Sequence, residues 1–280
     1  MVNIYTQRVK FVIMSDSNIY KDNFKYGVFL IDGISIFIPK EQVAVSDEYG
    51  QNDPYNVENN INKPFQKRRI DITLEFLSKC VNKNSKVLDL GCGEGHITNE
   101  FSKYVYSENI FACDYSISAI KKAKNNFPGI DFCVSDVYSL PYKNNIFDVV
   151  VCNNIFEHLE NPLLALEEIK RIMKKQGYLI ISTPSRYRFE NFLRLVLGKK
   201  MELMSKFHVT EYTVGQMVEL LNFSGFMLVE CKSYYISCES RPIIKNILNF
   251  FKLVLSAITK IFRSSHIWES TAFYLFKENG

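Results

Sequence analysis

The chain has 280 residues, 47% of them hydrophobic and 23% charged, with 12 Gly and 8 Pro. That composition excludes a disordered, collagen-like or coiled-coil protein, and it supplies core for one large domain or for a domain of about 200 residues with an appendage. A formal charge of +4, from 34 Lys and Arg against 30 Asp and Glu, is too balanced for a dedicated nucleic-acid binder.

The seven cysteines, at 80, 92, 113, 133, 152, 231 and 238, form no CxxC pair and no metal-type spacing with the histidines at 96, 158, 208 and 266. Most lie in apolar runs, as buried thiols of a reducing cytosol do. Met1 to Lys10 lacks a basic region followed by an apolar core, so no secretory signal is expected. No charge-free apolar stretch reaches the roughly 18 residues of a transmembrane helix.

In chain order, Val9 to Met14 reads as a strand, and strands Tyr26 to Ile31 and Ile34 to Ile38 flank Asp32-Gly33, a two-residue hairpin signal. Residues 1–45 are therefore expected to form a small β appendage, joined by a turn-rich linker over 46–64 to a main domain over 65–280.

That domain alternates strands and helices. Helical residues 66–81 lead into strand Val87 to Leu90, a Gly loop and helix His96 to Tyr106. Strand Ile110 to Cys113, helix Ser116 to Asn126 and strand Ile130 to Val134 follow. Strand Phe147 to Cys152, helix Pro162 to Lys175 and strand Tyr178 to Ser182 complete the run. Short apolar strands without alternation are what a parallel sheet buried on both faces requires, so the fold is a doubly wound α/β domain. Beyond an insertion at about 184–208, helix Val214 to Phe223 and strand Phe226 to Glu230 precede a second insertion at about 236–270 and a last strand, Thr271 to Phe276.

The densest motif is Val87-Leu88-Asp89-Leu90-Gly91-Cys92-Gly93-Glu94-Gly95. A strand ends in glycines that let the backbone turn sharply and let a ligand approach closely. The spacing is G-x-G-x-G, whereas a dinucleotide fingerprint would place its third glycine at His96. Asp114 closes the second strand, where a carboxylate can accept both hydroxyls of a ribose. Asp136 follows the third strand, in position to take an adenine amino group, and the fourth strand ends in Asn153-Asn154. Any one of these acids alone is as readily a helix cap or a solvated turn. The ordered set, aimed at one crevice, carries the reading.

On these residues the chain resembles class I S-adenosylmethionine-dependent methyltransferases from about Phe65 to Phe276, most densely from Val87 to Pro184. The matching stretches are VLDLGCGEG, CDYSISAI, SDVYSLPY, FDVVVCNNIFEHLENP, GYLIISTP and HVTEYT, and they look most like the small-molecule branch with quinone and glycan-tailoring enzymes. The resemblance implies a Rossmann-like, mostly parallel sheet of seven strands with an antiparallel last strand. It implies that Asp89, Gly91, Gly93 and Gly95, with Cys92 among them, hold the aminoacyl end of the cofactor. Asp114 takes the ribose, with Tyr115 and Ser116 in the same cofactor-binding stretch. Asp136 and Val137 frame the adenine, Asn153 lies near the methionine portion, and Arg69 sits near the cofactor carboxylate.

Methyl transfer from a sulfonium is an in-line displacement, and a hydroxyl acceptor also needs a base within reach. Glu157-His158, after the fourth strand, and His208, at the exit of the first insertion, are the candidates; the alternative for His158 is a brace for the following helix. In some quinone methyltransferases resembling this stretch, an acid-x-x-Glu-His group binds a divalent metal. The first position here is Asn154, so no metal is expected. His96 and His266 read as a helix-face and a loop residue.

Phe189, Phe192, Leu193, Val196 and Leu197 recur at helical spacing in the first insertion. In the second, an apolar face from Ile244 to Phe262 opposes Lys245, Lys252, Lys260 and Arg263. Over 242–263 this suits peripheral contact with a membrane interface, a lid on the same domain, or a homodimer contact. Segment 184–208 carries six basic and two acidic residues and segment 236–280 six and three, so the remainder of the chain sums to −3. The expectation is a cytoplasmic S-adenosylmethionine-dependent enzyme, peripheral to the inner membrane face if its acceptor is lipid-linked, that methylates oxygen on a small-molecule, glycan or lipid-linked acceptor. The alternatives are a nucleic-acid or protein methyltransferase, disfavoured because Asn153-Asn154-Ile155-Phe156 is no Asn-Pro-Pro-Tyr-type tetrad, and a non-catalytic cofactor-binding subunit.

Overall fold

The computed structural model describes residues 19–21, 28–43, 64–234 and 270–280. The expected strand Val9 to Met14, the linker up to residue 63 and the second insertion as far as residue 269 lie outside the described residues.

Strands β1 (Phe29–Ile31) and β2 (Ile34–Ile36) pair antiparallel about Asp32 and Gly33, whose φ angles of 52° and 75° are those a tight hairpin turn demands. The short helix α1 (Lys40–Val43) follows. The hairpin is continuous with the main sheet: β2 runs parallel to β5 (Asp131–Val134), with Ser35 opposite Cys133 and Ile36 opposite Val134. Tyr20 adds a second tie, donating from its hydroxyl to Asp131 Oδ2 at 2.9 Å.

The remaining strands are β3 (Val87–Leu90), β4 (Ile110–Asp114), β6 (Phe147–Asn153), β7 (Met173–Pro184), β8 (Phe226–Tyr234) and β9 (Thr271–Glu278). The sheet order is β1-β2-β5-β4-β3-β6-β7-β9-β8. The hairpin thus makes nine strands of the seven that the resemblance implies, and β9 runs antiparallel between β7 and β8. The central strands are buried on both faces. Leu88, Leu90, Phe111, Cys113, Val150 and Cys152 enter one core, while Val87, Ile110, Ala112, Val149 and Val151 enter the other. That two-sided burial explains their unbroken apolar sequences.

Helices α2 (Pro64–Cys80) and α4 (Ile117–Asn126) cover the second face through Ile72, Phe76, Leu77, Ile120 and Ala123. Helices α5 (Pro162–Ile172) and α7 (Val214–Phe223) cover the first through Ala165, Leu166, Ile169, Met217 and Leu221. Ser116 caps α4, its hydroxyl accepting from Ala119 N, and Thr213 with Gln216 forms a capping box on α7. Two expected helices are shorter than their periodicity suggests. His96 to Tyr106 divides into α3 (His96–Glu100) and a 3-10 turn over Phe101–Lys103. The stretch 173–175 leaves α5 to begin β7, where Gln176 takes a φ of 62° and Gly177 has no room for a Cβ, which would fall 2.8 Å from Lys174 O. The first insertion holds α6 (Phe189–Val196).

Candidate functional site

The chain leaves β3 and β6 toward opposite sides of the sheet, so the crevice beyond their carboxyl ends is where an open α/β sheet binds ligands. Gly91, Gly93 and Gly95 fill the β3 end with φ angles of 72°, 55° and 77°. At Gly91 a Cβ would fall 2.5 Å from Ile155 Cδ1, on the loop after β6. The third glycine belongs to packing, since a Cβ at Gly95 would lie 2.9 Å from Phe132 Cζ.

Buried Asp114 ties the loop together, accepting from Gly93 N at 2.8 Å and from Ser116 N at 2.9 Å. Its pKa is raised by burial, against the pull of these backbone donors. Asp89 accepts from Thr98 Oγ1 at 2.6 Å. Burial lifts its pKa to about 7, with the Thr98 bond and the Arg69 charge opposing and Asp114 adding to the rise. A cationic ammonium placed there would restore the carboxylate's ordinary ionisation. Burial, reinforced by Asp114 and Asp89, pushes the Cys92 thiol well above its usual value, which keeps it unreactive.

Among the described residues, three buried polar atoms at strand ends have no hydrogen-bond partner, Asn153 Nδ2 at the end of β6, Ser135 Oγ after β5 and Ser185 Oγ after β7. Asn153 Oδ1 is held by Ser182 Oγ at 2.9 Å and Thr73 Oγ1 at 3.3 Å, which fixes the amide. Orphaned polar atoms beside a glycine cradle suit a polar ligand with both donors and acceptors. The other expected residues divide. Arg69 is half-buried, donates to Asn154 Oδ1 at 3.4 Å and is held electrostatically by Asp89 and Glu157. Asp136 accepts from Tyr138 N at 3.0 Å in a local turn, and Val137 packs on the core. Tyr115 is exposed and donates from its hydroxyl to Gln42 Oε1 at 3.3 Å, so its side chain turns toward α1.

The acceptor candidates form one cluster. Rings of His158 and His208 meet edge to face with centroids 5.0 Å apart, although 50 positions separate them in the chain. One ligand-type atom from each of Glu157, His158 and His208 lies within 4.8 Å of the others. Glu157 is fully buried; Oε2 accepts from Thr183 Oγ1 at 3.3 Å, while Oε1 has no partner. Burial raises its pKa to about 7, opposed by its own backbone, the His208 charge and bonds from Asn154 and Thr183. Burial lowers the His158 pKa, the Phe207 carbonyl opposes, and neighbouring His208 adds to the fall. His158 Nδ1 lies 3.1 Å from Phe207 O, and His208 Nδ1 lies 2.9 Å from Glu211 Oε1. Glu211 in turn pairs with buried Arg188 and accepts from Met204 N.

Sequence reasoning missed Thr73, Thr98, Ser182, Arg188 and Glu211. Ser182 and Glu211 carried a signal, lying inside the stretches GYLIISTP and HVTEYT.

The family model described as Methyltransferase domain matches residues 81–232. The chain belongs to that family. An uncharacterised protein of Methanocaldococcus jannaschii is 31% identical over 199 residues, 68% of this methyltransferase and 78% of the relative. A demethylmenaquinone methyltransferase of Paenarthrobacter aurescens is 33% identical over 102 residues, 36% of this chain and 40% of that one. Among solved structures, the complex of the Haloferax volcanii Trm112 methyltransferase activator with a methyltransferase matches with a TM-score of 0.57 at 18% identity, over 84% of this chain and 98% of that one. At that identity the match speaks for the fold. Against other curated relatives the chain spans about half of the relative's length, 41% for a Schizosaccharomyces pombe methyltransferase and 55% for a Mycobacterium tuberculosis one. Relatives are named as S-adenosylmethionine-dependent methyltransferases, so S-adenosylmethionine is the cofactor of this domain, whose matched residues 81–232 include the glycine loop.

Proposed function

We propose that this methyltransferase methylates a hydroxyl oxygen on a small-molecule, glycan or lipid-linked acceptor. S-Adenosylmethionine supplies the methyl group: the C–O bond forms as the C–S bond breaks, and the bond pair returns to sulfur as a neutral thioether. Asp89 faces the ammonium of the aminoacyl end, Asp114 the ribose hydroxyls, and Asn153 Nδ2 and Ser135 Oγ offer donors beside them. The Glu157, His158 and His208 cluster receives the proton that the acceptor hydroxyl releases. The observation that carries the reading is the continuity of the two sites, because Arg69 interacts with Asp89, Asn154 and Glu157 at once.

The acceptor class is supported by the surface around the cluster. A groove of about 510 Å³ runs behind Glu211, lined by Arg186, Tyr187, Tyr212, Thr213 and Gln216. Such aromatic and hydrogen-bonding walls suit a sugar or other polyhydroxylated ring. Beside it Leu195, Val196, Leu197, Met204 and Phe207 are exposed near Lys199, Lys200 and Lys206, which fits a lipid-linked acceptor presented at an anionic surface. No helix among the described residues is long and apolar enough to cross a membrane.

The test follows the label of [methyl-³H]S-adenosylmethionine offered with lipid extract, oligosaccharides, RNA and protein. Label in the lipid or oligosaccharide fraction, in an alkali-stable ether, is expected; label in RNA or protein overturns the acceptor class. Calorimetry with S-adenosylhomocysteine checks the cofactor half, where Asp114→Ala should weaken binding roughly ten- to a hundredfold.

A further inference from the structure

We infer that Glu157, His158 and His208 form a binding site for a divalent transition-metal cation. Chain spacing argues against a metal because Asn154 replaces the acid three positions before Glu157. Asn154 Oδ1 accepts from Ser182 and Arg69, and the Asn154 side chain also bonds to Glu157, so it supports the carboxylate without adding an acid to it. The third donor comes instead from the far end of the first insertion. Among the described residues this is the one group of His, Cys, Asp or Glu side chains close enough together to share an ion.

Three features beyond proximity support it. First, Glu157 Oε1 is a buried carboxylate oxygen without a hydrogen-bond partner, Oε2 is tethered by Thr183, and one oxygen of this carboxylate lies within 4.8 Å of ligand atoms of both imidazoles. A carboxylate oxygen left so is costly unless something positive meets it. Second, both rings have Nδ1 against a fixed oxygen, the Phe207 carbonyl and the Glu211 carboxylate. Each ring therefore donates from Nδ1 and leaves the Nε2 lone pair free, the arrangement by which outer groups orient metal-ligating histidines. Third, Arg188 pairs with Glu211 and holds that outer carboxylate in place.

Two imidazoles and one carboxylate select a borderline transition cation over Mg²⁺ or Ca²⁺, and three protein ligands leave a coordination position open. Donors bound to one zinc at about 2.0–2.2 Å lie no more than about 4.4 Å apart, so binding draws the cluster inward. His158 is partly exposed and gives the ion its way in. The role rests on the O-methylation reading and replaces the base in it: with the ion bound the cluster's lone pairs are taken, an acceptor hydroxyl in the open position would lose its proton more readily, and that proton would pass to solvent instead of to the cluster. The affinity for the ion does not rest on it.

The test uses the purified full chain, stripped with chelator and titrated with Co²⁺ while the visible d–d bands are followed, and with Zn²⁺ by calorimetry. One ion per chain is expected, with the cobalt bands of a nitrogen- and oxygen-ligated site. His208→Ala and Glu157→Gln should abolish the bands, and Glu211→Gln should weaken affinity about 10- to 100-fold. Calorimetry with S-adenosylhomocysteine on each variant shows that it is folded. A wild-type chain that binds S-adenosylhomocysteine but gives no cobalt bands, or bands that survive in His208→Ala, overturns the inference. Metal binding without methyl transfer to any hydroxyl would leave the site standing and sink the acceptor reading alone.

Discussion

Around Asp89 and Asp114 the hydrogen bonds are short-range in the sheet, from a glycine loop and the first turns of the two helices that follow their strands, with the Arg69 charge of α2 added at Asp89. Around His208 they are long-range and charged, joining the loop after β6, the middle of the first insertion and the approach to α7. The proposed donor side is thus specified by one contiguous stretch and its neighbour strands, and the proposed acceptor side by residues far apart in the chain that meet only in the folded domain. A fold with this division can keep one cofactor cradle while its insertions change the acceptor.

The largest effect should come from cutting the charged side. Arg188→Ala leaves Glu211 buried with its Arg partner gone, and removal of one member of a buried pair costs about 3–5 kcal/mol. Urea unfolding should show that loss while affinity for S-adenosylhomocysteine stays within about twofold. A fall in cofactor affinity as large as the fall in stability would break the comparison and make the two sides one unit.

That division also governs what the sequence revealed. The strand ends, the glycine loop and the capped helices were legible because each depends on residues close together in the chain, as Ser116 and Thr213 show. The hairpin's turn was legible at Asp32-Gly33, but its membership of the sheet was not, because pairing between β2 and β5 depends on an edge about 100 residues away. Likewise Arg188 looked like one basic residue among six in its segment, since nothing local says that a guanidinium will be buried on Glu211. The proximity of His158 and His208 had the same obscurity.

On the cofactor side the expected effect is smaller and steric. Gly91→Ala forces a side chain into a φ of 72° and against Ile155, which should cost about 1–3 kcal/mol and displace the loop that carries Gly93 N. Adding Ile155→Ala frees the space but not the backbone, so the double variant should recover part of the loss in stability and in cofactor affinity. No recovery would mean that backbone strain alone sets the glycine requirement, and that β6 does not shape the cradle.

The finest probe is pH, acting through Asp89. Its folded pKa of about 7 lies above the ordinary carboxylate value of 3.8, so between these limits the folded state without cofactor holds a proton that the unfolded chain has released. The stability that this proton linkage contributes is fully present below pH 3.8 and is lost as pH rises through about 7, at up to about 1.4 kcal/mol per pH unit inside that window. Cofactor binding runs the other way. The groups around Asp89 are Thr98, Arg69 and Asp114, and an ammonium joining them favours the ionised carboxylate. Affinity for S-adenosylhomocysteine should therefore rise about tenfold from pH 6 to pH 8, with a proton released on binding near pH 6. Calorimetry in buffers of different ionisation enthalpy measures that proton directly. Asp89→Asn should lower affinity at pH 8 and flatten the profile; an unchanged slope would assign the proton to another group and remove Asp89 from the ammonium site.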